Sequence, residues 1–210
     1  MPGRLKNLIM QRIKLRRTQL ALVCFVIGAA LPLKAQAEVP VFVISRQASA
    51  IKFYVRASIE LRGTFDKWEA TLTFSSRDAT SGVLRVTVHA ASVNTGSSIE
   101  NRTLRSPDFF NAAQQPFITF VSKRITQTGP DSFQVLGDFT IRGVTKPETL
   151  ALTVSGKGTG SSVISGTMAF DRRSYGMNSG IPFITIADHV EVTLALKGNR
   201  VSGPPVLFKQ

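Results

Sequence analysis

The sequence predicts an all-β domain, an antiparallel barrel or sandwich of about eight or nine strands. Three observations carry that expectation. From Val41 onward apolar and polar residues alternate with period two, which puts every second side chain on one face of a sheet. The connections are short and rich in turn residues, which favours hairpins over crossover helices. One segment alone, Ser97 to Leu104 ahead of Ser106-Pro107, reads as helical, and it is short.

Taken in order, residues 1–37 differ in kind from the rest. Arg4, Lys6, Arg12, Lys14, Arg16 and Arg17 precede an apolar run from Leu20 to Leu33, with no acidic residue before Glu38. A basic stretch, an apolar run too short to span a bilayer and the ending Ala35-Gln36-Ala37 form the pattern of a secretory signal peptide cut after Ala37. That reading implies export to the periplasm. In the chain that follows, Ile51, Phe53 and Val55 share one face of a strand and Lys52, Tyr54 and Arg56 the other. Ala70, Leu72 and Phe74 repeat the pattern, as do Leu84, Val86 and Val88. Farther on, Phe133, Val135, Phe139 and Ile141 lie on one parity, then Leu150, Leu152 and Val154, then Val190, Val192, Leu194 and Leu196. Turns are expected at Ser81-Gly82, Gly129-Pro130-Asp131, Gly143 to Pro147 and Gly156 to Gly160. Residues 38–201 form the expected barrel domain, and residues 202–210, with Pro204-Pro205, a flexible C-terminal tail.

Charge and composition narrow the function classes. Lys and Arg number 26 against 13 Asp and Glu, a net +13, but seven of the basic residues lie in the first 37. Without that segment 19 basic residues face 13 acidic ones, a net +6 spread over strands and turns, which argues against nucleic acid and is compatible with transient contact with an anionic membrane. Cys24, the one cysteine, sits in the apolar run, so the mature chain can form no disulfide or thiolate metal site. His89 and His189 belong to no spaced ligand set, so no metal is expected. Asp188 and His189 are adjacent and would point to opposite faces of a strand, and there is no G-x-S-x-G elbow. No enzymatic activity and no cofactor are therefore expected. The glycines of Gly156-x-Gly158-x-Gly160 lie between strands rather than before a helix and read as a flexible hairpin loop.

Thirteen of the 14 phenylalanines and Trp68 fall in the mature part, most of them on the apolar parity. Alternation alone leaves open whether they fill an ordinary core or line an apolar cavity, because both have the same parity.

Several strings together resemble the YceI-like (polyisoprenoid-binding) family. They are Leu104-Arg105-Ser106-Pro107-Asp108-Phe109-Phe110, Pro116-Phe117-Ile118-Thr119-Phe120, and Gly137-Asp138-Phe139-Thr140-Ile141-Arg142-Gly143-Val144-Thr145-Lys146-Pro147. Arg62-Gly63-Thr64-Phe65, Ala91-Ser92-Val93-Asn94-Thr95 and Phe170-Asp171-Arg172-Arg173-Ser174-Tyr175-Gly176-Met177 support them, over about residues 41 to 198. The resemblance implies an extended eight-stranded, lipocalin-like antiparallel barrel with one short helix, its long channel holding a polyisoprenoid, an isoprenoid quinone or a fatty-acyl amphiphile. The expected function is that of a periplasmic carrier for such a ligand. The alternative is an accessory module docking on a membrane redox or stress-response partner, with the lipid as structural filler. Whether the chain forms a homodimer is left open.

Candidate channel-lining residues follow from the apolar parity: Phe53, Val55 and Phe65 near the start, Leu72, Phe74, Val86 and Val88 next, then Phe120, Phe139 and Ile141. Leu152, Val154, Met168, Phe170, Val192 and Leu194 complete the set, and Phe109-Phe110 are placed at the channel mouth. Arg102, Arg105 and Arg142 are candidate partners for a headgroup. The sequence departs from the family pattern at Ser45 and Ala48, and at Glu100 to Leu104, where many members carry ionisable groups. Headgroup preference is therefore not carried over from the resemblance.

Overall fold

A computed structural model describes residues 38–58, 60–180 and 185–209. The expected signal peptide lies outside the described residues. The elements run β1 (Val41–Ala57), β2 (Leu61–Phe65), β3 (Trp68–Phe74), β4 (Gly82–His89), β5 (Val93–Asn94), α1 (Ser98–Arg105), β6 (Phe117–Gln127), β7 (Ser132–Ile141), β8 (Val144–Ser155), β9 (Ser161–Asp171) and β10 (Ile186–Ser202). The ten strands among the described residues belong to one sheet, in the order β3-β4-β6-β7-β8-β9-β10-β1-β2-β5, and each pair of neighbours in it runs antiparallel.

The count of ten differs from the expected eight for a local reason. Asp66-Lys67 interrupts one bent strand, so that β2 pairs with β1 while its continuation, β3, pairs with β4 at the other end of the sheet. Counted as one, β2 and β3 leave eight long strands and the two-residue β5. The bend brings the sheet's ends together, and side chains bridge the seam. Phe42 of β1 meets Phe74 of β3 at 5.9 Å, and the Arg46 guanidinium lies 5.9 Å over the Trp68 ring. Such curling needs a break in the long outer ladders, and β1 supplies it as a bulge between Ser45 and Ala50. There the Ser49 hydroxyl donates to the Ser45 carbonyl at 2.6 Å and accepts from the Lys197 N–H at 2.9 Å, replacing lost ladder partners.

Alternation sets what lies inside. Ile51, Phe53 and Val55 are buried, as are Leu84, Val86 and Val88, and Phe133, Val135, Phe139 and Ile141. The expected helix is α1, opened by the Ser97 hydroxyl accepting from the Glu100 N–H. Of the expected turns, Gly143 to Pro147 is corrected: the reversal is confined to Arg142-Gly143, both with positive φ as a tight hairpin demands, and Pro147 lies in β8 opposite Asp138. β9 pairs with β8 only from Ala151, leaving the first half of β8 a free edge on which a missing N–H is tolerated.

The described part of the expected flexible tail, residues 203–209, is held against the barrel. Leu207 forms a parallel bridge to Asp78, its N–H donating to the Arg77 carbonyl at 2.7 Å and its carbonyl accepting from Ala79 at 3.0 Å. Arg77 Nε donates to the Pro205 carbonyl, and the Gln127 amide makes both backbone hydrogen bonds of Lys209. Val206 and Phe208 pack inward while Leu207 is 53% exposed, a strand-like alternation too short to be read from sequence.

Candidate functional site

Among the described residues three apolar cavities lie along the strands, at the α1 end, in the middle and at the tail end. The first, about 60 Å³, lies under α1 and is lined by Phe53, Val55, Phe109, Phe110, Phe139, Ile141 and Phe170 among others. The second, also about 60 Å³, is bounded by Val86, Val88, Phe120, Met168, Val192 and Leu194, and shares Phe65, Ile118 and Phe139 with the first. The third, about 80 Å³, lies one inward-facing layer farther along the strands, among Leu72, Phe74, Leu84, Phe133, Leu152 and Val154. Each of the 18 candidate lining residues thus faces one of the three cavities. The walls are almost wholly carbon, and such a space favours an apolar occupant over water.

Glycines shape the spaces between these layers. A Cβ on Gly137 would stand 2.6 Å from the Phe120 ring, and one on Gly166 2.7 Å from Leu152 and 2.8 Å from Leu194. These close approaches let large side chains from neighbouring strands lean across the interior. A chain running through all three cavities requires those side chains to rotate aside.

Sequence reasoning missed lining residues of two kinds. Ile51, Leu84, Phe133 and Leu150 lie on parities already identified and were within reach of the alternation. Phe42, Val206 and Phe208 were not, because their inward position depends on the seam and on the docked tail.

The three headgroup arginines are not brought together on the cavities. Arg102 is exposed on the last turn of α1, and Arg105 donates to the Val93 carbonyl at 3.3 Å. Arg142, held at φ +55°, donates to the carbonyls of Asp108 and Gly176 and so ties three loops at the α1 end. The charged residue that does line the α1-end cavity is Arg172, which is 5% exposed. Its guanidinium donates to the carbonyls of Ala187, Met177 and Ser179 and sits 3.1 Å from Asp188 Oδ1, which Arg173 approaches from outside at 2.7 Å. Beside it Tyr175 is fully buried against Phe139 and Phe170 and donates to Glu148 Oε1 at 2.7 Å. Burial, followed by that hydrogen bond to a carboxylate, pushes the phenol well above its usual range. Among the described residues no cluster of three His, Cys, Asp or Glu side chains could hold a metal.

The architecture defines a curled antiparallel β-barrel around an apolar, aromatic-rich interior. The chain belongs to the YceI-like domain family, whose model matches residues 42–198. Over 98 residues it is 38% identical to Protein YceI of Escherichia coli O17:K52:H18 and 36% identical to Protein YceI of Salmonella arizonae. Each match covers 47% of this chain and 51% of the relative, so the chain spans about half the length of the curated relatives it matches. Among solved structures, Burkholderia cenocepacia BcnA superimposes with a TM-score of 0.68 at 25% identity, over 74% of this chain and 99% of that one. Campylobacter jejuni YceI protein gives 0.57 at 25% identity, covering 68% and 86%. A polyisoprenoid binding domain from Saccharophagus degradans gives 0.60 over 77% and 99%; at 15% identity it speaks for the fold alone.

Proposed function

We propose that this chain is a periplasmic binding or carrier protein for a long-chain apolar amphiphile, a polyisoprenoid, an isoprenoid quinone or a fatty-acyl compound. The observation that supports it most directly is the row of three carbon-lined cavities along the barrel. An isoprenoid tail exposed to water gains about 25 cal/mol for each Å² of apolar surface transferred to such an interior. Binding of this kind needs no reacting group; shape and dryness suffice. The polyisoprenoid binding domain among the structural neighbours has the same fold, which is consistent with this ligand class. The periplasmic assignment follows from the signal-peptide pattern of residues 1–37.

The test is native mass spectrometry of the exported protein purified from its own compartment, followed by organic extraction. A stoichiometric long-chain amphiphile supports the carrier reading and names the ligand. A bare protein mass, with no uptake of prenyl or fatty-acyl compounds on incubation, overturns it in favour of an accessory module with an ordinary aromatic core.

A further inference from the structure

We propose that residues 203–209 are a built-in stopper that closes one end of the channel and sets the length of chain it accepts. The proposal rests on reading the interior as a lipid channel. Gly203 makes the reversal that sends the segment back across the barrel end. Its φ of +74° is left-handed, and a Cβ there would stand 2.0 Å from the Val39 carbonyl oxygen, so no other residue fits this turn. The Arg200 guanidinium donates to the Gly203 carbonyl and fixes the exit direction. Pro204-Pro205 then keeps the arm extended.

What the arm delivers is apolar. Val206 and Phe208 line the tail-end cavity, and the Phe208 ring meets Phe133 edge-on at 6.1 Å. Lys157 also covers this ring, its Nζ 4.8 Å from the centroid. An ion pair with Asp131 and a hydrogen bond to the Pro130 carbonyl hold that lysine in place. The glycine loop 156–160 thus gains a role: positive φ at Gly156, Gly158 and Gly160 shapes the turn that carries Lys157 to the stopper. The segment leaves the end of β10 and is fixed by hydrogen bonds at Arg77–Ala79, in the β3–β4 connection, and at Gln127, which ends the neighbouring β6. The arm contributes no rung to the barrel ladder beyond the single bridge at Asp78, so it closes the end without building the wall.

The test offers an equimolar series of linear prenyl alcohols of increasing length to the mature wild-type protein, to a chain ending at Ser202, to Phe208→Ala and to Leu207→Ala. Bound species are read by native mass spectrometry. Truncation and Phe208→Ala are expected to raise occupancy by the first alcohol beyond the wild-type limit at least about tenfold, which about two further buried methylenes supply. Leu207→Ala, altered on the outward side, keeps the wild-type profile. Should the truncated chain lose its cooperative melt, Phe208→Ala decides, since it retains every backbone hydrogen bond of the arm. A wild-type protein that binds no alcohol sinks the channel reading and the stopper with it. A wild-type protein that binds, with an unchanged length limit in Phe208→Ala and in any truncated chain that folds, overturns the stopper and leaves the channel standing.

Discussion

The two ends of the barrel are closed by different means. At the α1 end the cover comes from the middle of the chain: Phe110 packs on Phe53 at 6.4 Å and on Phe65 at 5.9 Å, and Phe109 and Leu104 are buried beside it. Tyr175, Arg142 and Arg172 then lock the surrounding loops through buried or shared hydrogen bonds. At the tail end the cover is the segment 203–209, tied on by backbone bonds and by two partly buried side chains, Val206 and Phe208. The contrast shows that closing a barrel and stabilising it are separable tasks. A cover built from buried aromatic rings belongs to the core, whereas an arm lying across an opening adds little to the core and can restrict what enters.

Five substitutions test that contrast. The largest effect on binding is expected between the ends, where Val86→Trp fills the middle cavity and abolishes uptake of any chain long enough to pass it. Overpacking costs about 1–3 kcal/mol, so the barrel still folds, and lipid content by native mass spectrometry beside circular dichroism separates the two outcomes. Unchanged uptake would remove the middle cavity from the channel.

The largest effect on stability is expected at the α1 end. Phe110→Ala removes a buried ring and costs about 3–5 kcal/mol in denaturant unfolding, whereas Phe208→Ala, from a half-buried position, costs about 1 kcal/mol. Equal costs would mean that the tail belongs to the core after all.

Tyr175→Phe leaves Glu148 without its buried donor and costs about 1.5–3 kcal/mol. The raised phenol also predicts a pH dependence. The folded state holds this proton more tightly, so the contribution is complete below the unfolded value of about 10 and is lost as pH rises beyond it. Alkaline titration of stability in the wild type and in Tyr175→Phe should therefore converge at high pH.

The smallest effect is expected at Asp78, where the tail is anchored. Its carboxylate accepts from the Thr80 hydroxyl and N–H, both at 2.7 Å, and those bonds hold its pKa below the usual carboxyl value. The contribution is present above about pH 3.9 and is lost as pH falls through the lower folded value. Because the group is well solvated, Asp78→Ala costs at most about 1 kcal/mol. The two ends accordingly loosen in opposite directions, the tail end in acid and the α1 end in base. Hydrogen exchange of Ala79 and Leu207 across the acid range checks the first of these. Exchange unaffected by acid would show that Asp78 does not govern the anchor.

Much of this architecture was legible because a half-buried strand must alternate. Phe53 against Lys52, or Phe139 against Asp138, could be assigned to opposite faces without knowing any partner strand. The helix was readable from Ser97 and from the Ser106-Pro107 stop, both local signals. Local chemistry failed where the answer lay in a distant partner. Pro147 read as a turn residue because the free edge of β8 depends on where β9 begins pairing. Arg142 read as a candidate headgroup partner because the carbonyls it holds come from residues 34 positions away in either direction.

Side-chain period and local turn chemistry suffice for most of the long strands, their inward faces, the short helix and the apolar character of the interior. Which arginine lines a cavity, how the interior divides into three spaces and where residues 203–209 lie are set by packing in three dimensions. Those outcomes depend on packing between residues far apart in the chain: Arg77 reaches Pro205 across 128 positions and Gln127 reaches Lys209 across 82. No periodicity within a single segment records such a contact.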